Sequence, residues 1–443
     1  MGELTQQVPF EMVDAVLAET RTVQRRVRDL PARVVVYLLL AGCLFAGQGY
    51  RQVWQRLVGG LVGLGGLDLP TVTEAALRQA RRRLGPAPLR ALFELLRGPA
   101  ATTAGQARWR GLLVCAIDGT IMAVPDSPAN LTRFVKQRGG RCGGGSYPTL
   151  RLLAVVACGT RSIIDAVHGP ATHGETTYAQ HLLRAFTPGM LLLADRNFAA
   201  GKLITKITDT GAHLLVRVKH SAKGPKLPVL RRHRDGSYRS TFGGRLVRVV
   251  DAEITITTSG GTHTGTYRLV TSLLDEHRHP AAALIRLYHE RWEIETAYLE
   301  MKSSILGGRV LRARTPTGVD QEIYALLITY QALRTAMTDA TNTIPGLDPD
   351  RASFTTALHT ARDQLIQAAG VIADTTIDLA GTIGRHILNN LLPDRRLRLN
   401  TRTVKRAISK YNARGPNIDR RTYQTTININ ILAGPALTTD PAP

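Results

Sequence analysis

The sequence predicts an α/β fold: a strand–helix core, interrupted by a β-rich insertion, with helical regions at both ends. Three observations predict it. Between about 111 and 210, short apolar runs alternate with stretches of helical period. From about 212 to 275 the pattern turns all-β, in runs such as "HLLVRVKH" and "RLVRVVDAEITITT" separated by glycine turns. Before 98 and after 280 the apolar residues follow helical periodicity. These changes divide the chain into a helical N-terminal region (1–105), a first core part (106–211), the insertion (212–277), a second core part (278–340) and a helical C-terminal region with a basic tail (341–443).

In the N-terminal region helices are predicted over 9–28 and 31–46, and "YRQVWQRLVGGL" continues the periodicity. A glycine-rich break at 59–70 precedes a helical pair over 71–98, opened by a Thr cap and divided at Gly85-Pro86. Arg78, Arg81, Arg82 and Arg83 cluster on its first helix. Short helices, tight turns and clustered arginines fit a helix-turn-helix-like DNA-binding module, or equally a small helical domain with a basic face. In the core, "GLLVCAIDGTIMAV" (111–124) is a strand with one acid in its middle, Asp118. The glycine-rich loop 138–148 follows, then two strands, a helix around "TTYAQHLLRAF", and the strand "GMLLLADRNF" (189–198) ending in Asp195. A long helix starts at Pro280-Ala281, and helices resume over 318–340 and 351–392. The tail from Arg395 to Arg421 carries ten Lys/Arg and reads as a basic arm.

The 57 basic and 34 acidic residues of the 443 leave a formal charge of +23. Such an excess points to a polyanion, nucleic acid ahead of a membrane surface, because phosphates neutralised by the protein release condensed counterions. The longest apolar run, 34–46, is too short to span a bilayer. No signal-peptide pattern opens the chain, and Cys43, Cys115, Cys142 and Cys158 show neither CxxC nor zinc spacing. A reduced, intracellular setting is expected. Cys115 reads as a packed strand residue, His168 and His173 as loop histidines, and "GGRCGGGS" lacks the pattern of a phosphate cradle.

The stretch "YHERWEIETAYLEMK" (288–302) is the most informative. At about 100° per residue, Tyr288, Arg291, Glu295 and Lys302 share a helical stripe roughly 60° wide. Glu290, Glu293 and Glu300 fall on the other side. One acid is thus grouped with an aromatic and two cations. Metal-dependent phosphodiester chemistry uses two divalent ions about 4 Å apart, and hard Mg²⁺ or Mn²⁺ prefers carboxylate oxygens. Three carboxylates from different elements are a sensible minimum. Asp118 and Asp195 are the natural companions of Glu295, since each interrupts or ends an apolar strand where an unpaired carboxylate is costly.

With "DGT" in one strand, "ADRNF" after another and Y-x2-R-x3-E-x6-K on a helix, the sequence resembles DDE transposases of the insertion-sequence-four family over roughly 110–335. The resemblance implies a ribonuclease-H-like core in which Asp118, Asp195 and Glu295 bind two Mg²⁺ ions, with Mn²⁺ as a substitute. It implies cleavage at transposon-end inverted repeats, sometimes through a DNA hairpin, and strand transfer into target DNA. Arg291 and Lys302 would hold backbone phosphates, Tyr288 a terminal phosphate, and Trp292 would stack on a flipped base or pack in the core. Double-stranded DNA as partner, a homodimer or larger assembly on it, and a cytoplasmic, nucleoid-associated bacterial protein follow. A nuclease that cuts without joining, and a catalytically silent DNA-binding regulator, are the alternatives.

Overall fold

The computed structural model describes residues 4–24, 26, 29–62, 71–98, 108–136, 147–219, 224–258, 261–366, 381–393 and 426–432. The glycine-rich loop and the basic arm of the sequence analysis lie largely outside them. A twelve-stranded mixed sheet forms the centre. Its strands are β1 (Arg108–Trp109), β2 (Leu112–Ala123), β3 (Val135–Lys136), β4 (Pro148–Ala157), β5 (Ile163–Pro170), β6 (Met190–Ala194), β7 (His213–Val218), β8 (Arg231–Arg232), β9 (Tyr238–Phe242), β10 (Arg245–Thr258), β11 (Gly261–Thr271) and β12 (Thr426–Ile431). They run in the order β3-β4-β2-β6-β7-β11-β10-β9-β8, with β1 on β2, β5 on β4 and β12 on β10.

β2, β6 and β7 are parallel to one another and the remaining pairings are antiparallel. The first half of β2 is buried on both faces, which is why it reads as a continuous apolar run. Its side chains alternate as a strand requires: Val114 and Ala116 enter one core, Leu113, Cys115 and Ile117 the other.

The helices preceding the sheet are α1 (Leu4–Gln7), α2 (Phe10–Glu19), α3 (Ala32–Leu44), α4 (Tyr50–Val62), α5 (Glu74–Leu84) and α6 (Ala87–Leu96). Within or after it come α7 (Pro128–Leu131), α8 (Glu175–Leu182), α9 (Gly201–Asp209), α10 (Ala281–Tyr288), α11 (Trp292–Leu299), α12 (Pro316–Asn342), α13 (Phe354–Ile366) and α14 (Gly381–Asn389). α8 and α9, the connections around β6, cover one face through Tyr178, Leu182, Leu203 and Ile207. The other face carries α11, α12 and the N-terminal helices in one continuous core. The run 34–46 is almost wholly buried in α3, which packs on α12. Among the described residues no helix is long and apolar enough to cross a membrane.

Two features differ from the sequence expectation. The stretch 9–28 does not stay helical: α2 stops at Glu19, where the Thr20 hydroxyl folds back to the Val16 carbonyl and Arg21 takes a positive φ of 55°. His213–Val218, read as the start of the insertion, is the third parallel strand of the core, pairing Ala194 with Val216. The insertion itself continues that sheet through β11 rather than forming a separate layer. Arg248, fully buried in β10, binds the His279 carbonyl at 2.6 Å and Asp235, whose carboxylate also accepts from the Ala281 amide at 2.9 Å. The insertion thereby sets where α10 begins.

Candidate active site

Strand register brings two of the three acids together. β2 and β6 pair in parallel up to Ile117↔Ala194. The next residues are Asp118 and Asp195, so both carboxylates leave the sheet at the same level of adjacent strands, about 4.8 Å apart at the backbone. β6 ends there, and the Asp195 side chain caps the following turn through the Asn197 amide at 2.8 Å. β2 continues to Ala123 against β4.

The third acid arrives on a segment stitched to those strands. It is not one uniform helix. α10 ends at Tyr288, a 3₁₀ turn spans His289–Arg291, α11 carries Glu295, and a π-helical turn covers Glu300–Ile305. Three side chains bind strand carbonyls: Tyr288 Oη donates to Ala194 O at 3.1 Å, Tyr298 Oη to Asp118 O at 2.6 Å, and Lys302 Nζ to Ile121 O at 2.9 Å. Lys302 also reaches Thr120 Oγ1 at 3.1 Å. The Arg291 guanidinium then bridges the acids, 3.3 Å from Asp118 Oδ2 and 3.4 Å from Glu295 Oε1. Arg291 thus stands between Asp118 and Glu295, Asp195 lies level with Asp118 on the neighbouring strand, and Lys302 sits farther along β2.

Two expected contacts are revised. Tyr288 is buried and its hydroxyl is engaged by Ala194, so in this conformation it braces the backbone before Asp195 and does not face a phosphate. Trp292 is partly exposed, with Arg291 stacked 5.0 Å from its ring centroid, so it is not a core tryptophan.

Burial pushes the Asp118 carboxyl up to about 7. The neighbouring charges of Asp195 and Glu175 push the same way, against Arg291 and the Gly119 amide. Arg291 offsets that rise only in part. Its contacts are longer than the 2.7–2.9 Å of a tight charge-assisted bond, so it is a loosely held cation. Among the described residues no group of three His, Cys, Asp or Glu is already drawn tightly enough to hold a metal. The donor set, hard carboxylate oxygens from three separate elements, still fits a hard divalent cation.

Comparison with known proteins shows the family to which the chain belongs. The transposase DDE domain family matches residues 109–332, half of the chain, and the insertion element 4 transposase N-terminal family matches 1–94. The chain belongs to the DDE transposases. Transposase InsG for insertion sequence element IS4, from Escherichia coli (strain K12), is 27% identical over 417 residues, covering 90% of this chain and 91% of that protein. The putative transposase InsZ of the same strain is 26% identical over 211 residues, 46% of this chain and 67% of that protein. A solved structure, the piggyBac transposase synaptic complex with hairpin DNA, aligns with a TM-score of 0.45 and 10% identity over 88% of this chain and 85% of that one. DDE transposase domains work with divalent metal ions.

The transposase has site features that sequence reasoning missed. Glu175, the first residue of α8, points over the strand at Gly119. A Cβ there would lie 2.6 Å from Glu175 Oε1, so the glycine of "DGT" makes room for that carboxylate. Arg151, opposite Ile121 on β4, donates to Glu175 at 2.6 Å. An acid opening a helix just after a strand was the available signal, but acids are common there for dipole reasons alone. Tyr298 was also missed: its hydroxyl accepts from Ala154 N at 3.0 Å while donating to Asp118 O, and so stands inside the Asp118↔Ala154 ladder position.

Two of the three glutamates on the far side of the stripe are buried. Glu293 is fully buried against Arg161 at 2.5 Å, and Glu300 binds Arg334 and Arg161. The charged stretch 288–302 thus has one face for the site and one face locked into the protein.

Proposed function

We propose that this transposase cuts double-stranded DNA at the terminal inverted repeats of its mobile element and joins the freed 3′ ends to target DNA. In this reading the core is ribonuclease-H-like, and Asp118, Asp195 and Glu295 hold two Mg²⁺ ions, for which Mn²⁺ substitutes. When bound, such ions activate the attacking oxygen and stabilise the leaving one. The observation that carries the reading is the level pairing of Asp118 and Asp195 on adjacent parallel strands, with Glu295 joined to Asp118 through Arg291.

The chain's own residues have distinct parts. Arg291, which lies between Asp118 and Glu295, would offer its planar fork to a non-bridging phosphate oxygen, where it suits bidentate contact. Lys302, anchored on β2 beside Thr120 and Ile121, places a fixed positive charge two to three residues along the strand from Asp118. It steers the backbone near the cut. Tyr288 and Tyr298 are positioning residues that hold Ala194 and Asp118 in register. Trp292, partly exposed beside Arg291, would offer its ring to an unpaired base, which suits second-strand cleavage through a hairpin. Two ends cut in concert call for a homodimer or larger assembly on DNA.

The test is a labelled duplex bearing the inverted repeats that flank the reading frame, incubated with wild type and Glu295→Gln, with and without Mg²⁺. Metal-dependent cleavage at the repeat boundary, lost in a variant that still binds, and joined products with added target DNA, are the expected results. Binding without cleavage by wild type would replace this reading with that of a DNA-binding regulator.

A further inference from the structure

A second basic feature lies apart from the three acids. α5 buries Leu77, Ala80 and Leu84 and turns Arg78, Arg81 and Arg82 toward a cleft of about 440 Å³. The opposite wall is the segment from Arg312 to the first turn of α12, which adds Arg312 and Arg314. No Asp or Glu lines the cleft. The walls are fixed to each other: Gln321 Nε2 on α12 donates to Arg81 O and Gly85 O, both at 2.8 Å, at the end of α5.

The five arginines are not equivalent. Arg312 is held by Glu322 and by the Gln48 and Gly42 carbonyls, and it stacks 4.3 Å from the Tyr50 ring centroid, with Arg81 at 3.9 Å from the same centroid. These two build the floor. Arg78, Arg82 and Arg314 are exposed and, among the described residues, have no acidic partner. A rigid pocket that gathers unneutralised guanidinium groups from two elements concentrates positive potential, and an anion relieves it.

We infer that this cleft clasps the phosphodiester backbone of the element's end DNA, away from the cut, through Arg78, Arg82 and Arg314. The inference rests on the reading of the chain as a DNA-cutting transposase. Its placement follows from the fold. Leu311 N donates to Ala123 O at 3.2 Å, so the arginine wall continues directly from the far end of the strand that carries Asp118. From Asp118 to Ala123 along β2 is roughly 17 Å at about 3.4 Å per residue. Duplex DNA rises about 3.4 Å per base pair, so on a duplex lying along β2 the clasped phosphates are about five base pairs or more from the scissile one. The lining gathers guanidinium groups and no carboxylate, which suits the phosphate backbone.

The test uses the full chain with Arg78→Ala, Arg82→Ala and Arg314→Ala combined, none of which touches the three acids. Binding to the end duplex is measured as a function of salt, with phosphate-ethylation interference mapped in parallel. Each phosphate contact contributes a slope of about −0.9 in log K against log salt, so the triple variant should lose about 2.7 from the slope. It should also lose interference at phosphates about five base pairs or more from the cut while the footprint nearer the cut persists. Should the triple variant misfold by circular dichroism, Arg78→Gln and Arg314→Gln alone should each lower the slope by about 0.9. An unchanged slope and footprint in folded variants overturns the clasp. Mg²⁺-dependent cleavage of the same duplex by wild type is scored alongside. If wild type cuts and the variants bind as it does, the clasp alone fails; if wild type does not cut, the reading beneath it fails.

Discussion

Glu293 and Glu295 stand two residues apart on α11, and replacing them should have opposite consequences. Glu293 is fully buried, its carboxylate 2.5 Å from Arg161 Nε. Arg161 also meets Asp350 at 2.9 Å and Glu300 at 3.4 Å, while Arg334 closes the cluster on Glu300. Burial pushes the Asp350 carboxyl up to about 6, which shows how little water reaches the group. Removing one partner of a buried ion pair costs about 3–5 kcal/mol. Since Arg161 keeps two carboxylates, Glu293→Ala should fall at the lower end, about 3 kcal/mol. Glu295 is 44% exposed and touches Arg291 only at 3.4 Å. Surface pairs contribute about 0–1 kcal/mol, so Glu295→Gln should leave stability within about 1 kcal/mol while abolishing cleavage. Urea unfolding followed by circular dichroism gives the first quantity, and cleavage of labelled end DNA at a temperature where both variants are folded gives the second. Stability losses that are equal, or reversed in order, would refute the division of this helix into a structural and a functional face.

Other consequences can be checked in the same assays. Tyr298→Phe leaves Asp118 O and Ala154 N without their shared hydroxyl; a loss of about 1–3 kcal/mol in unfolding free energy and slower cleavage at unchanged DNA affinity are expected. Glu175→Gln removes a like charge beside Asp118 and should lower the pH at which its carboxyl ionises, read by carbonyl NMR of metal-free protein. The same change should reduce cleavage by about 10–100-fold, as outer carboxylates around metal sites do, and Gly119→Ala should act in the same direction by displacing that side chain. Burial, with Arg291 adding, lowers the His289 imidazole from 6.5 to about 4. Below pH 6.5 the unfolded chain therefore takes up a proton that the folded one refuses, so stability drops as pH falls from 6.5 to 4, by up to about 3 kcal/mol. His289→Gln should remove that part of the acid sensitivity in melts between pH 4 and 8.

What the sequence revealed depended on how local the signal was. The strand positions of Asp118 and Asp195 were legible because each follows an apolar run long enough for a buried strand, and the helical placement of Glu295 because its spacing to Tyr288, Arg291 and Lys302 fits one side of a helix. The pairing of β7 with β6 was not legible, since an apolar run of six residues does not name its neighbour. A uniform wheel of 100° per residue also misjudged the segment, which tightens at His289–Arg291 and widens at Glu300–Ile305. That is compatible with Tyr288 turning inward to Ala194 while Arg291 and Glu295 stay at the site. The burial of Glu293 and Glu300 was not legible because their counter-charges, Arg161 and Arg334, come from distant parts of the chain. Glu175 escaped for the same reason: only the fold sets it over Gly119.

The central claim, that Asp118, Asp195 and Glu295 close around shared divalent ions, is tested most directly by anomalous diffraction from the transposase bound to its end duplex in Mn²⁺. Two manganese peaks between these carboxylates, with Arg291 turned away from Asp118, are the predicted result. Manganese absent from the site, or bound to other side chains while Arg291 still bridges Asp118 and Glu295, would contradict it.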